Sequence, residues 1–130
     1  MTSRNSPPEG TLYRRLGGYD VIAAVIDEFL SRFGSDPRLV RFGGGRSLDS
    51  RQRSRQLLVD QMCSLAGGPC VYIGRDMKTA HAGLGIIEGE WQATLQCASD
   101  ALEKCGVPLS EKEEFLAIFQ RYMEDIVEKS

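Results

Sequence analysis

Asp20-Val-Ile-Ala-Ala-Val-Ile-Asp-Glu-Phe-Leu-Ser-Arg-Phe-Gly34 is the stretch that decides the fold class of this 130-residue chain. Val21, Ile22, Val25, Ile26, Phe29, Leu30 and Phe33 recur at steps of three and four, so a helix here carries one continuous apolar face. Asp20 is placed to cap its start, and Gly34 to end it. Pro37 opens a tight turn carrying Leu39, Val40 and Phe42.

The same period extends to both sides. Upstream, residues 1–10 read as a disordered tail, and Thr11 to Leu16 as a short helix stopped by Gly17-Gly18. Downstream, Gly43-Gly44-Gly45 forms a joint, and Asp49 or Ser50 caps a helix with Leu57, Leu58, Met62 and Leu65 on its apolar face. Gly67-Gly68-Pro69 ends that helix, because glycine accepts a left-handed turn and proline cannot continue one. Residues 70–75 read as loop, followed by a short helix from Met77 to about Leu84 capped by Asp76. A fifth segment spans about Glu90 to Lys104 on Trp91, Thr94, Leu95, Ala98, Ala101 and Leu102, with Gly106 as its stop. Ser110 and Glu113 form a capping box for a last helix that buries Phe115, Ile118, Phe119, Tyr122, Met123, Ile126 and Val127. Cys70-Val-Tyr-Ile73 is too short and isolated to count as a strand. The expectation is an all-α fold of six or so helices, with residues 11–130 as one domain.

Composition narrows the function. The chain is 42% hydrophobic and 26% charged, as expected of a folded globular protein. Its length suffices to bury roughly 68% of the unfolded surface. A net charge of −2 disfavours nucleic acid as a partner, since phosphate neutralisation needs a basic face. Arg46, Arg51, Arg53 and Arg55 form the one basic run, and it reads as a solvated helix start. No run reaches the roughly 18 apolar residues of a membrane span, and the polar opening lacks a secretory h-region. Both point to a cytoplasmic protein. Cys63, Cys70, Cys97 and Cys105 lack Cys-x-x-Cys spacing, which disfavours zinc ribbons, redox pairs and covalent c-type haem. They are expected to be reduced thiols.

Chemistry-bearing motifs are few. The 14 glycines include neither a Gly-Lys-Ser/Thr phosphate loop nor a dinucleotide fingerprint. Cysteine catalysis lacks a paired base, because the chain has a single histidine. That residue, His81, lies one helical turn after Met77. A lone histidine on an apolar face is ordinarily a packed or solvated side chain. Its company raises another reading: Phe29, Leu30, Phe33, Phe42, Leu58, Met62, Trp91, Phe115 and Phe119 are many large apolar residues for this length. Neutral imidazole is a good iron ligand, and a flat macrocycle needs a wide apolar slot.

Ordered motifs bring a family into view. Leu12-Tyr13-Arg-Arg-Leu16-Gly17-Gly18, Gly67-Gly68-Pro69 with Tyr72 and Gly74, Arg75-Asp76-Met77-Lys-Thr-Ala-His81, and Gly106-Val107-Pro108 follow one another across residues 11–127. In this arrangement the chain resembles a truncated haemoglobin of the first group, a two-over-two helical sandwich around a haem. The resemblance implies haem b (iron protoporphyrin IX) held non-covalently, with His81 as the iron ligand through Nε2 and Nδ1–H donating to a carbonyl or water. It implies Tyr72 near the haem edge, Met77 and Trp91 on the iron-ligand side, and Phe115 and Phe119 along the wall. Phe29, Leu30, Phe42, Ser54, Leu57, Leu58 and Met62 would face the gas ligand.

Departures from the family pattern carry the functional nuance. The second helix reads Phe29-Leu30 where the family has Phe-Tyr, so a hydroxyl donor is missing. The position of a frequent glutamine holds Leu58, with Ser54 a turn earlier; Gln61, or Gln56 in a shifted register, is left as a polar candidate. Phe42-Gly43 replaces a Phe-Phe pair. A lost donor weakens ligand retention by about 1.5–3 kcal/mol, so fast dioxygen release and ready oxidation are expected. With one histidine, bis-histidine coordination and a histidine–vinyl cross-link are excluded. The implied function is reversible binding of dioxygen, nitric oxide and carbon monoxide, serving oxygen transport, sensing or nitric-oxide detoxification with an external reductase. The alternative is a haem-free helical sensor or interaction module. A peroxidase is a weaker reading, because no distal histidine–arginine pair is identified.

Overall fold

The computed structural model describes residues 10–39, 42, 48–74, 85–121 and 127. The expected tail, the Gly43–Gly45 joint and the Met77–Leu84 helix lie outside these, as do Val40, Tyr122, Met123 and Ile126. Five helices are described: α1 Leu12–Leu16, α2 Tyr19–Ser35, α3 Leu48–Leu65, α4 Glu88–Lys104 and α5 Leu109–Gln120. Helix α2 packs against both α4 and α3, α4 packs against α5, and α1 closes against α5 and α2. No strand occurs among the described residues, and no helix there is long and apolar enough to cross a membrane.

Helix α2 follows its periodicity: Ile22, Val25, Ile26 and Phe29 are buried, and Leu30 and Phe33 pack alongside. Its start differs from expectation. Gly18 is the N-cap, and Asp20 lies in the first turn, where its charge favours the positive end of the helix dipole without a capping bond. The end also moves, since Asp36 rather than Gly34 follows the last helical residue. Asp36 then caps a turn by accepting the Arg38 backbone N–H at 2.8 Å, which brings Leu39 back into the core. The paired Arg38 guanidinium holds the Asp36 carboxyl well below the usual carboxylate range.

Helix α3 corrects the expected apolar face. Its core stripe is Val59, Met62, Cys63 and Ala66, whereas Leu58 and Leu65 are half-buried beside that core and Leu57 joins neither apolar cluster. Its end is as expected: Gly67 takes φ +94°, its N–H donates to Ser64, and the Gly68 N–H donates to Cys63. This is the Schellman arrangement, in which a left-handed residue lets the last carbonyls find donors. The Tyr13 N–H donates to the Ala66 carbonyl at 2.8 Å and joins α1 to this turn. Gly68 is a packing glycine, because a Cβ there would collide with the Tyr13 ring and lie 2.8 Å from Cys63 Sγ.

The turn also overturns the reduced-thiol expectation at one pair. Cys63 and Cys70 are joined in a disulfide, with Cα atoms 5.8 Å apart. The Gly67-Gly68-Pro69 reversal brings them within the span a disulfide needs, which no spacing rule encodes. Cys97 and Cys105 are free, and burial pushes both thiols up, away from reactive thiolate.

Helix α4 begins at Glu88, two residues earlier than expected, with the Glu90 carboxylate accepting the Ile87 N–H at 3.2 Å. It buries Ala93 and Cys97 in addition to the expected Trp91, Leu95, Ala98, Ala101 and Leu102. Helix α5 has no capping box: Pro108 precedes it without a side-chain cap, and the Ser110 hydroxyl donates to Glu111 instead. Arg15 of α1 holds α5 through Glu111 at 2.9 Å and Glu114 at 2.7 Å.

Two outcomes follow. Gly68→Ala should lower the melting temperature by roughly 5–10 °C through overpacking, whereas Gly34→Ala, with nothing within 4 Å of its new methyl, should leave it unchanged or raise it; circular dichroism melts compare the two. Thiol labelling of the unfolded, unreduced protein should modify two cysteines, and labelling after reduction all four.

Candidate haem site

Two apolar clusters are present. The larger contains Phe29, Met62 and Phe115 with the packed faces of α1 to α5; the smaller contains Ile86, Trp91 and Leu95. Phe42 and Phe119 pack against both. The rings form a chain across the junction. Phe42 lies 6.2 Å from Phe33, Phe33 lies 5.8 Å from Phe29, and Phe29 meets Phe119 edge-on at 5.8 Å. Phe119 in turn contacts Phe115 at 5.9 Å and Trp91 at 6.4 Å. Such contacts add about 0.5–1.5 kcal/mol each beyond area burial. Phe119 is therefore the hub through which α2, α4 and α5 share one aromatic surface.

Helical spacing explains how one chain serves both clusters. On α4, Ala93, Cys97, Ala98 and Ala101 form a small-residue stripe against the main core, while Trp91 and Leu95 form a second stripe one turn apart on the other cluster. On α3 the core stripe from Val59 to Ala66 is flanked by Ser54, Leu57, Leu58 and Gln61, spaced three and four apart. Leu30, Ser54, Leu57 and Leu58 are half-buried.

Two buried polar groups stand out. The Trp91 indole nitrogen is fully enclosed and has no hydrogen-bond partner. Gln61 is the only buried polar or charged residue among those described, at 9% exposure, while the indole nitrogen is the only enclosed polar side-chain atom there without a partner. Leaving such a group buried without a partner costs about 1–3 kcal/mol. Gln56 is different: it is exposed, and its amide donates to the Tyr19 hydroxyl at 2.8 Å and to Asp60 at 3.1 Å. Its amide is thus engaged at the surface between α2 and α3.

Of the expected site residues, the structure brings Phe29, Leu30, Phe42, Leu58, Met62, Trp91, Phe115 and Phe119 into the two clusters. Tyr72 is half-buried in the extended segment after the disulfide, its ring lying against Gly74. His81 and Met77 lie outside the described residues. Sequence reasoning named Phe33 in the apolar company but missed Ile86 and Leu95 as members of this surface; the pairing of Leu95 with Trp91 at i, i+4 was the available signal. No cluster of three or more metal-ligating side chains occurs among the described residues.

The bacterial-like globin family model matches residues 11–128. The chain is 31% identical over 106 residues to the group 1 truncated haemoglobin of Mycolicibacterium paratuberculosis, covering 82% of this chain and 76% of that protein. It is 32% identical over 97 residues to that of a Nostoc species, covering 75% and 80%. The chain belongs to the truncated haemoglobins. The crystal structure of the Tetrahymena pyriformis truncated haemoglobin in its Fe(III) form shares the fold, with a TM-score of 0.82 at 24% identity over 90% of this chain and 97% of the other. The architecture is accordingly the two-over-two globin sandwich, α2 with α3 and α4 with α5.

A globin carries a haem and binds ligands at it. The residues present fit that group: aromatic and aliphatic walls suit a flat macrocycle, and the unpartnered Trp91 donor suits an occupant that brings an acceptor.

Proposed function

We propose that this truncated haemoglobin holds haem b non-covalently, with His81 as the protein's iron ligand, and binds dioxygen, nitric oxide and carbon monoxide reversibly. The observation that carries this reading is the aromatic surface joining the two apolar clusters, with an enclosed indole N–H lacking an acceptor, in a chain of this family. His81 is the chain's one histidine, four residues after Met77. The haem supplies an iron centre with an open position for a neutral diatomic molecule.

The chain's own residues do the rest. Phe29, Phe115 and Phe119 present apolar surface that excludes water and lowers the local dielectric, which protects the reduced iron from oxidation. The side chains of Leu30 and Leu58 offer no hydrogen to a bound ligand and leave size and apolarity as the selection there. To Tyr72, in the segment tethered by Cys70, we assign the contact with the haem's carboxylate edge. Nitric-oxide turnover would draw electrons from a separate reductase, since the chain has no dinucleotide fingerprint.

Absorption spectra of the purified protein, as isolated and after dithionite and carbon monoxide, test this reading. A Soret band that shifts with carbon monoxide is expected. His81→Gly should abolish that band and recover it when imidazole is added. A colourless protein that takes up no added haemin would overturn the reading and leave the haem-free helical module.

A further inference from the structure

We infer that Cys63 and Cys70 form a reversible thiol–disulfide site, opened in the folded protein by a dithiol reductant at Cys70, and that its state sets how firmly the haem is held. The second half of this inference rests on the haem reading above. The disulfide lies where residues 70–74 leave the end of α3. The turn's own backbone bonds stop just short of that segment: the Gly67 N–H donates to Ser64 at 3.1 Å and the Gly68 N–H to Cys63 at 2.9 Å. Of residues 70–74, Cys70 is the one that packs against an apolar cluster of the described residues. Val71 and Ile73 are each 74% exposed, so their burial adds little. Tyr72 lies between them, its ring against Gly74. The apolar attachment of this segment is therefore concentrated at Cys70.

The two sulfurs are unequal. Cys63 is fully buried on α3, whereas Cys70 is half-buried between the exposed Pro69 and Val71. An external thiolate meets Cys70 first. Its attack makes a mixed disulfide at Cys70 Sγ and releases Cys63 as a thiolate, which takes up a proton. The reductant's second thiol then displaces Cys70, and the reductant leaves as its own disulfide. Two electrons pass to the pair, and the two protons given up by the dithiol end on the two cysteines. The fold accommodates both states. As a thiol, Cys63 remains a small apolar core residue, and the Gly67, Gly68 and Tyr13 bonds still close the end of α3. Cys70 follows Cys63 by seven positions, so the opened thiols stay close and a disulfide oxidant can rejoin them. A purely structural staple fits less well, because the bond ties α3 to its own following segment and joins no second helix. Opening it frees residues 70–74, and with them Tyr72, to which the contact with the haem's carboxylate edge is assigned.

The ferric, haem-bound protein is compared in its oxidised form and after dithiothreitol followed by desalting without oxygen. Reduction should raise the thiol count from two to four, speed hydrogen exchange at residues 71–74, and leave the helix content by circular dichroism unchanged. Haemin should pass to excess apomyoglobin about threefold faster, the worth of weakening one hydrogen bond. Oxidised glutathione should reverse each change. Cys70→Ser should show the fast transfer throughout and ignore the reductant. A thiol count that stays at two in the folded protein overturns the proposal. Equal exchange or equal haemin transfer in the two states also overturns it, as does a reductant response that survives in Cys70→Ser. Absence of a Soret band in the parent protein would instead overturn the haem reading, and the thiol count and exchange then decide the reversible site on their own.

Discussion

Close seating of α2 on α4 is the contact from which the rest of the molecule is hung. Ile22, Val25, Ile26 and Phe29 on one side meet Ala93, Cys97, Ala98 and Ala101 on the other, large branched side chains against a stripe of small ones. Small residues let two helix axes approach, and large ones then fill the grooves between the small ones. Because α2 also packs on α3 and α4 on α5, this contact sets how far apart the two helix pairs stand. The aromatic chain from Phe42 to Trp91 runs across the gap so defined. Filling or widening the α2–α4 contact at Ile22, Val25 or Ala98 would therefore act on the aromatic surface without touching a ring of it.

Legibility in the sequence followed from how many forces agreed at each position. In α2, propensity, periodicity and burial coincide, and its apolar face was readable residue by residue. In α3 they conflict: its N-terminal half is rich in Arg and Gln, and Val59 and Cys63, not the leucines, supply the deepest contacts. Leucine is the stronger hydrophobic signal, so the stripe was placed too far round the helix. Helix starts were misread where a polar residue suited to capping was at hand but backbone geometry had already fixed the boundary. At Gly18 and Pro108 the conformation before the helix decides, and Asp20 and Ser110 are left to lesser tasks.

The site was legible as chemistry and not as arrangement. Large apolar residues and one histidine suggested what would bind, and most of the named side chains do share two clusters. The Cys63–Cys70 bond could not be read from spacing, since it depends on a reversal made by Gly67, Gly68 and Pro69. Gln61 was legible only as a candidate, because an amide in an amphipathic helix is ordinarily solvated and the surrounding fold decides its burial.

Helix α3 holds its core stripe and the flank of Leu57, Leu58 and Gln61 on one rigid cylinder, at separate azimuths. A change at position 57 or 61 alters polarity and room on that flank while the side chains at 59, 62 and 63 keep their packing. Flank and core thus occupy different addresses along the same eighteen residues. Lineages carrying this scaffold can drift in ligand preference by single substitutions, without a compensating repair elsewhere in the fold.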